Sequence, residues 1–78
     1  MEPDIEPTED QIKTEPLLQL FKYKHLQRPD MRALSRTFTA QALYIADNVP
    51  RNAERSVCLR KLREAKDTSI TALLWVQP

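Results

Sequence analysis

Apolar residues recur at helical spacing along two long segments of the chain, and no segment alternates apolar and polar residues as a strand does. In the first segment, five apolar residues follow one another at steps of three and four, which places them on one face of a helix. They are Leu34, Phe38, Ala42, Ile45 and Val49. Asp30 is well placed to cap this helix, so we expect it to run from Met31 to about Asn48.

The second long segment carries a narrower apolar face and ends with apolar residues on several faces. The narrow face consists of Leu59, Leu62, Ala65, Ser69, Ala72 and Leu73. Asn52 is a good start signal, and the predicted helix runs from Ala53 to Trp75, a length of about 35 Å. A single helical neighbour covers one face only, whereas Ile70, Leu74 and Trp75 lie on others. The surplus apolar surface therefore predicts self-association.

The pattern before the first long helix is shorter and more polar. Residues 1–13 are acidic and contain two prolines, which predicts a disordered or frayed segment. Thr14 is a suitable N-cap for a short apolar helix over residues 17–23, with Pro16 in its first turn. The proline at position 29 disfavours helical geometry in the residue before it, so we expect a break there.

Together these elements predict an all-α protein, with a short N-terminal helix followed by an antiparallel two-helix hairpin. The connector over residues 48–52 is short enough to hold the two long helices side by side in opposite directions. The expected division of the chain is an acidic, proline-containing arm over residues 1–15 and a helical hairpin domain over residues 16–78. Because a chain of 78 residues buries a limited core, the surplus apolar surface favours assembly into a compact homo-oligomer.

Charge is distributed unevenly, although the net charge is only +1. Residues 1–15 contain six acids and one base, a balance of −5, whereas residues 16–78 contain eleven bases and five acids, a balance of +6. A basic body joined to an acidic arm indicates an anionic ligand. The alternative is a solubilising tail beside a solvated basic surface. The arm also carries the charge needed to fold over the basic surface.

Composition argues against catalysis and against metal or membrane binding. One cysteine, one histidine and no glycine leave no material for a disulfide, a zinc site or a Gly-rich phosphate loop. No spacing suggests a nucleophile with its base, and Glu64 and Asp67 lie near enough to Lys61 and Lys66 to be neutralised. The longest uncharged run, residues 68–78, is too short to cross a bilayer. We therefore expect a non-enzymatic protein that uses no cofactor or metal.

Anion binding has better candidates, beginning where the short helix should end. Tyr23, Lys24 and His25 stand together there, and an aromatic ring beside cations is a common means of holding nucleotides. The alternatives are a packed tyrosine and a histidine that hydrogen-bonds the end of the helix.

The two long helices add further cations and hydroxyl groups. The cations are Arg28, Arg32 and Arg36, which form a basic ridge, and Arg60, Lys61, Arg63 and Lys66. The alternative for each of them is a solvated charge. The hydroxyls belong to Thr68, Ser69 and Thr71, and their alternative is a hydrogen bond to the preceding helical turn.

Several of these residues resemble the helical-hairpin domain of small phage proteins. The matching motifs are Tyr23-Lys-His-Leu26, Ser35 with Phe38, Glu54-Arg55, Leu59-Arg-Lys-Leu62 and Glu64-Ala-Lys-Asp67. That domain is shared by the anti-CBASS cyclic-nucleotide sponges and by related anti-Thoeris sponges. The resemblance covers roughly residues 20–76, and the run from Leu59 to Asp67 is its most specific part.

The resemblance implies a homo-oligomer, a hexamer in the anti-CBASS sponges, that sequesters cyclic nucleotide second messengers without cleaving them. It implies cyclic dinucleotides such as cyclic GMP-AMP, held between protomers by an aromatic ring, here Tyr23, and a basic side chain. That side chain is Lys24, His25 or Arg36. A separate site near the symmetry axis holds cyclic trinucleotides in those proteins. Thr71 stands where many relatives have arginine, so the bidentate phosphate fork of that site is replaced by a hydroxyl.

The ligand-binding residues predicted from the sequence are thus Tyr23, Lys24, His25, Arg36, Lys66 and Thr71. The predicted function is sequestration of cyclic oligonucleotide signals in the cytoplasm of the infected bacterial host, which blocks CBASS signalling. The main alternative is a small basic helical protein that binds nucleic acid polymers through their phosphates, and a protein–protein adaptor is a third hypothesis.

Overall fold

The computed structural model describes residues 5–76, and all the regular secondary structure among them is helical. The elements are helix α1 (Glu9–Thr14), a 3₁₀ helix (Pro16–Phe21), helix α2 (Pro29–Asn48) and helix α3 (Ala53–Leu73). Residues 5–76 contain no strand, so the all-α class predicted from the sequence is confirmed. The final two residues of the predicted last helix, Leu74 and Trp75, lie beyond the end of α3.

The hydrophobic core forms where the 3₁₀ helix packs against both long helices. Leu18 and Phe21 of the 3₁₀ helix, Ala42 and Ile45 of α2, and Leu59 of α3 are its buried members. Burying side chains of the size of leucine and phenylalanine stabilises the fold by about 1.5–3 kcal/mol each. The 3₁₀ helix is therefore an integral part of the core and contacts both long helices.

The buried face of α2 differs from the predicted apolar stripe. Ser35 and Thr39 are fully buried, whereas Leu34 and Phe38 are only half-buried and Val49 is exposed. The reason is that small side chains let the 3₁₀ helix approach closely. Thr39 Oγ1 donates a hydrogen bond to the Phe21 carbonyl oxygen at 2.5 Å across this contact.

The face of α3 toward the core also differs from the prediction. Its buried residues are Arg55, Leu59 and Lys66. Ala65 and Leu73, both assigned to the predicted apolar face, are exposed. Two charged side chains that were not part of the predicted apolar face are thus buried on α3.

The helix boundaries show which local signals act. Asn52 caps α3 as predicted, since its side-chain oxygen accepts a hydrogen bond from the Arg55 N–H at 2.9 Å. The predicted Asp30 cap is wrong, because α2 starts at Pro29 with Arg28 as N-cap and no side-chain capping bond. Proline suits this first position because its missing N–H is not needed there. Asp30 instead pairs with Arg28 at 2.6 Å, and this hydrogen bond lowers the pKa of the Asp30 carboxyl.

Residues 5–15 pack on the body, where the sequence predicted disorder or fraying through residue 13; residues 1–4 lie outside the described residues. A capping box starts α1: Thr8 Oγ1 accepts from the Gln11 N–H, and Gln11 Oε1 accepts from the Thr8 N–H. Thr14 is the last residue of α1, so its predicted role as N-cap is wrong. Glu15 caps the 3₁₀ helix instead.

A buried ion pair fixes the end of this N-terminal segment. Arg55 Nη2 donates to Glu15 Oε1 at 2.6 Å, and both side chains are almost fully buried. Arg55 Nη1 also donates to the carbonyl oxygens of Ala46 at 3.1 Å and Val49 at 2.9 Å. One guanidinium thereby joins the start of the 3₁₀ helix, the end of α2 and the first turn of α3.

Candidate functional site

A small cavity lies where the 3₁₀ helix, the loop over residues 22–28 and the two long helices meet. Its volume is about 210 Å³. Four basic side chains and one carboxylate line it, namely Lys22, His25, Arg63, Lys66 and Asp67. Because bases outnumber acids around so small a space, the cavity is suited to an anion.

Ser35 is one of the residues that line this cavity. Its exposed fraction is 1%, and among residues 5–76 no group forms a hydrogen bond with Ser35 Oγ. A buried polar group left without a partner costs about 1–3 kcal/mol, and such groups are rare in folded proteins. Ser35 therefore combines a place in the lining of a cationic cavity with a buried hydroxyl that has no partner among residues 5–76.

Lys66 is the most constrained cation of the cavity. Its exposed fraction is 8%, Nζ donates to the Leu20 carbonyl oxygen, and Nζ lies 5.3 Å from the centroid of the Phe21 ring. The Leu20 carbonyl uses one of the three N–H donors of the ammonium. Burial lowers the pKa of Lys66, the Asp67 carboxylate opposes this effect, and Arg63 adds to it. A bound anion would favour the charged form of Lys66.

Arg63 and Asp67 form the more exposed part of the site. Arg63 Nε lies 3.4 Å from Asp67 Oδ2, and each side chain is about half exposed. Exposed pairs of this kind contribute only about 0–1 kcal/mol. A ligand phosphate can therefore compete with Asp67 for the guanidinium at little cost to the fold.

Of the six ligand-binding residues predicted from the sequence, the cavity brings together two, His25 and Lys66. Lys24 is exposed and precedes His25, whereas Arg36 is half-buried and follows Ser35 on α2. Neither of these two is part of the cavity wall.

Thr71 lies on an exposed turn of α3, and its Oγ1 donates to the Asp67 carbonyl oxygen at 3.0 Å. The neighbouring hydroxyls behave alike, since Thr68 donates to the Glu64 carbonyl and Ser69 to the Ala65 carbonyl, each at 2.8 Å. All three hydroxyls form the bond to the preceding turn that was the alternative interpretation of the sequence.

Tyr23 is packed inside the protomer, with an exposed fraction of 5%. Its hydroxyl oxygen accepts a hydrogen bond from the Ile5 N–H at 3.2 Å. The backbone N–H groups of Tyr23 and Lys24 both donate to Glu6 Oε2, at 3.0 and 2.9 Å. Stacking of a base on this ring would require the segment over residues 5–7 to move.

Sequence reasoning missed three contributors to this region: Lys22, Ser35 as a cavity hydroxyl, and Glu6. The sequence does contain a signal for the burial of Ser35, and the same signal applies to Lys66. Ser35, Thr39 and Ala42 are spaced by four and three, as are Leu59, Leu62 and Lys66 in the reverse order, so both polar residues occupy positions facing the core. For Glu6 no local pattern exists, because its partners lie 17 and 18 residues away.

Comparison with protein-family models, with curated proteins and with solved structures found no match to this chain. The likeness to phage sponges therefore rests on the motifs quoted above. Within residues 5–76, none of the helices combines the length and the apolar composition needed to cross a membrane. The same residues contain no group of three or more His, Cys, Asp or Glu side chains placed to hold a metal ion.

Proposed function

We propose that this protein binds cyclic oligonucleotide second messengers and holds them uncleaved, so that host CBASS signalling in the bacterial cytoplasm is blocked. Cyclic dinucleotides such as cyclic GMP-AMP are the first ligands, and cyclic trinucleotides are a second class. The observation that carries the proposal is Ser35, which lines a cavity rich in basic side chains and whose buried hydroxyl has no protein partner among residues 5–76. A phosphate group suits both features.

The chemistry of the cavity supports a phosphate over a neutral ligand. Phosphate oxygens accept hydrogen bonds from the Lys66 ammonium and the Arg63 guanidinium, and such charge-assisted bonds are roughly twice as strong as neutral ones. The Ser35 hydroxyl donates to a third oxygen. Sequestration asks only for tight, stoichiometric binding, so it needs no nucleophile or general base.

The size of the cavity limits what one protomer holds. A volume of about 210 Å³ is below the roughly 300–1,000 Å³ of pockets that enclose a drug-sized ligand. The cavity of one protomer therefore takes one phosphate, and the bases lie beyond the cavity. Two protomers related by a two-fold axis present two such cavities, which matches the two phosphates of a cyclic dinucleotide.

The antiparallel hairpin of α2 and α3 and the homo-oligomer, a hexamer by resemblance to the sponges, belong to this proposal. Exposed apolar residues support the oligomer: Trp75 is 65% exposed and Val76 is 86% exposed. An apolar groove of about 610 Å³ lies along Phe38, Leu62 and Ala65. Surfaces of this kind often mark interaction sites.

Isothermal calorimetry with 3′,3′-cyclic GMP-AMP tests the proposal through Ser35→Ala. Removing the hydroxyl should weaken binding by about 10- to 100-fold, since a hydrogen bond to a charged group contributes about 1.5–3 kcal/mol. Stability should be unchanged or slightly increased, because the hydroxyl has no protein partner among residues 5–76. Ser69→Ala is the matched control, since the Ser69 hydroxyl bonds to its own helix.

Equal affinities of these two variants would contradict a phosphate site at Ser35. Retardation of DNA with a steep salt dependence, without dinucleotide binding, would favour the nucleic acid polymer hypothesis. A monomer by light scattering would contradict a ligand site shared between protomers. A linear product recovered from the heated complex would show cleavage instead of sequestration.

A further inference from the structure

The Glu6 carboxylate occupies a pair of consecutive backbone N–H groups. Glu6 Oε2 accepts from the Tyr23 N–H at 3.0 Å and from the Lys24 N–H at 2.9 Å. Consecutive N–H groups that converge on one point form an anion-binding concavity. A carboxylate oxygen and a phosphate oxygen are equivalent acceptors for such a pair.

This N–H pair is next to the cavity along the chain. Lys22 precedes it and His25 follows it, and both of these residues line the cavity. The carboxylate, in contrast, comes from the acidic N-terminal segment and reaches the pair from 17 and 18 residues away. The N–H pair thus lies between two cavity-lining residues of the chain and is already filled by a carboxylate of the protein itself.

The residue before Glu6 also contacts Tyr23. The Ile5 N–H donates to the Tyr23 hydroxyl at 3.2 Å, and Pro7 is buried. Withdrawal of residues 5 and 6 would release the two N–H groups and would also break the hydrogen bond from the Ile5 N–H to the tyrosine hydroxyl. Ligand access to the ring is therefore linked to the occupancy of the N–H pair.

We propose that the Tyr23 and Lys24 N–H groups form a second anion subsite, filled by the Glu6 carboxylate in the free protein and by a phosphate oxygen of the ligand in the complex. That the ligand carries phosphates rests on the function proposed above. Glu6 is an intramolecular competitor whose effective concentration is in the millimolar range typical of short tethers. Weakly bound anions are thereby rejected, whereas a ligand that also fills the cavity displaces the carboxylate.

An NMR titration with inorganic phosphate tests the subsite directly through the amide signals of Tyr23 and Lys24. Glu6→Gln keeps the shape of the side chain but loses the charge-assisted bonds, so phosphate should bind at these amides about tenfold more tightly than in Glu9→Gln. Glu9→Gln is the matched control, because Glu9 is exposed in the same segment and the change in net charge is identical. Equal dissociation constants in the two variants, or amides that do not respond in Glu6→Gln, would overturn the subsite.

A second variant separates occupancy from charge. Glu6→Asp keeps the negative charge but shortens the side chain by one methylene, so it should also increase phosphate binding at Tyr23 and Lys24. If Glu6→Gln does not fold, Glu6→Asp provides the test. An affinity of Glu6→Asp for phosphate equal to that of wild type would then overturn the proposal.

The Ser35 amide and the His25 ring report on the cavity in the same spectra. Shifts at Tyr23 and Lys24 without shifts at these reporters would support the subsite and contradict the cavity as phosphate site. The reverse pattern would support the proposed function and overturn the subsite.

Discussion

The Arg55–Glu15 pair and the Ser35–Lys66 cavity both bury polar side chains, but they differ in how those side chains are paired. Arg55 has three acceptors, the Glu15 carboxylate and the carbonyl oxygens of Ala46 and Val49. Only its Nε lacks an acceptor within residues 5–76. In the cavity, Ser35 Oγ has no partner there, and Lys66 has a neutral carbonyl in place of a carboxylate.

This difference supports a structural role for the Arg55–Glu15 pair and the binding role proposed for the cavity. A buried charge that is neutralised and hydrogen-bonded holds elements together, because removing either partner exposes the other to an apolar surrounding. A buried cation and a buried hydroxyl that still have unused hydrogen-bonding capacity lose fewer hydrogen bonds when a neighbouring side chain is replaced. They gain when an anion arrives, which is the behaviour expected of a site.

The largest expected effect is on the structural side of this comparison. Arg55→Ala leaves the Glu15 carboxylate buried without its cation, so the free energy of unfolding should fall by about 3–5 kcal/mol. Urea unfolding followed by circular dichroism measures this, with Arg60→Ala as an exposed control on the same helix that should change by less than about 0.5 kcal/mol. If Arg55→Ala lowered the free energy of unfolding as little as the control does, the Arg55–Glu15 pair would contribute no more than an exposed ion pair. The contrast between this pair and the cavity would then be contradicted.

An intermediate effect is expected from Lys66→Met, which keeps an apolar stem of similar length but removes the charge. Binding of 3′,3′-cyclic GMP-AMP should weaken by about 10- to 100-fold. Stability should change less than in Arg55→Ala, since the cost of burying the ammonium disappears while the Leu20 carbonyl loses a donor. Calorimetry and urea unfolding of the same samples give both quantities, with the exposed Lys13→Met as control. Full affinity in Lys66→Met would contradict Lys66 as a ligand contact.

The extent to which the sequence predicts this molecule follows from how local each signal is. Asn52 before a long periodic segment, and Pro16 at the start of a helix, act within one turn, so both predictions are confirmed. The N-terminal segment was misjudged because acids and prolines outweighed the capping box formed by Thr8 and Gln11. Because the two residues of that box are only three positions apart, the start of α1 can be predicted from the sequence.

The cavity is less accessible from the sequence, for a physical reason. Ser35 and Lys66 share the spacing of core residues. Whether a serine or lysine at such a position is buried with a partner, buried without one or exposed depends on tertiary packing, which the spacing does not show. The contact of Glu6 with Tyr23 is not encoded locally at all. Tyr23 illustrates the consequence: its type suggested stacking on a base, whereas its neighbours in space make it a buried hydrogen-bond acceptor.

The smallest expected effect is a pH dependence confined to the cavity side of the comparison. Burial lowers the pKa of Lys66 in the folded protein. Between that lowered value and the ordinary lysine pKa of about 10.4, the unfolded chain binds more protons than the folded one. The free energy of unfolding contributed by Lys66 should therefore rise with pH across this window, because deprotonation relieves the cost of the buried charge. This contribution is fully present above the unfolded pKa and is lost as the pH falls to below the folded pKa.

Urea unfolding at a series of alkaline pH values isolates this contribution as the difference between wild type and Lys66→Met. The free energy of unfolding of wild type minus that of Lys66→Met should increase with pH. The same quantity for Lys13→Met should not change in this way. Saturating 3′,3′-cyclic GMP-AMP should move the increase to higher pH, since a phosphate beside Lys66 favours its charged form. A difference that is flat with pH would mean that Lys66 is solvated in the folded protein, and the cavity would then lose the buried cation on which its contrast with the Arg55–Glu15 pair depends.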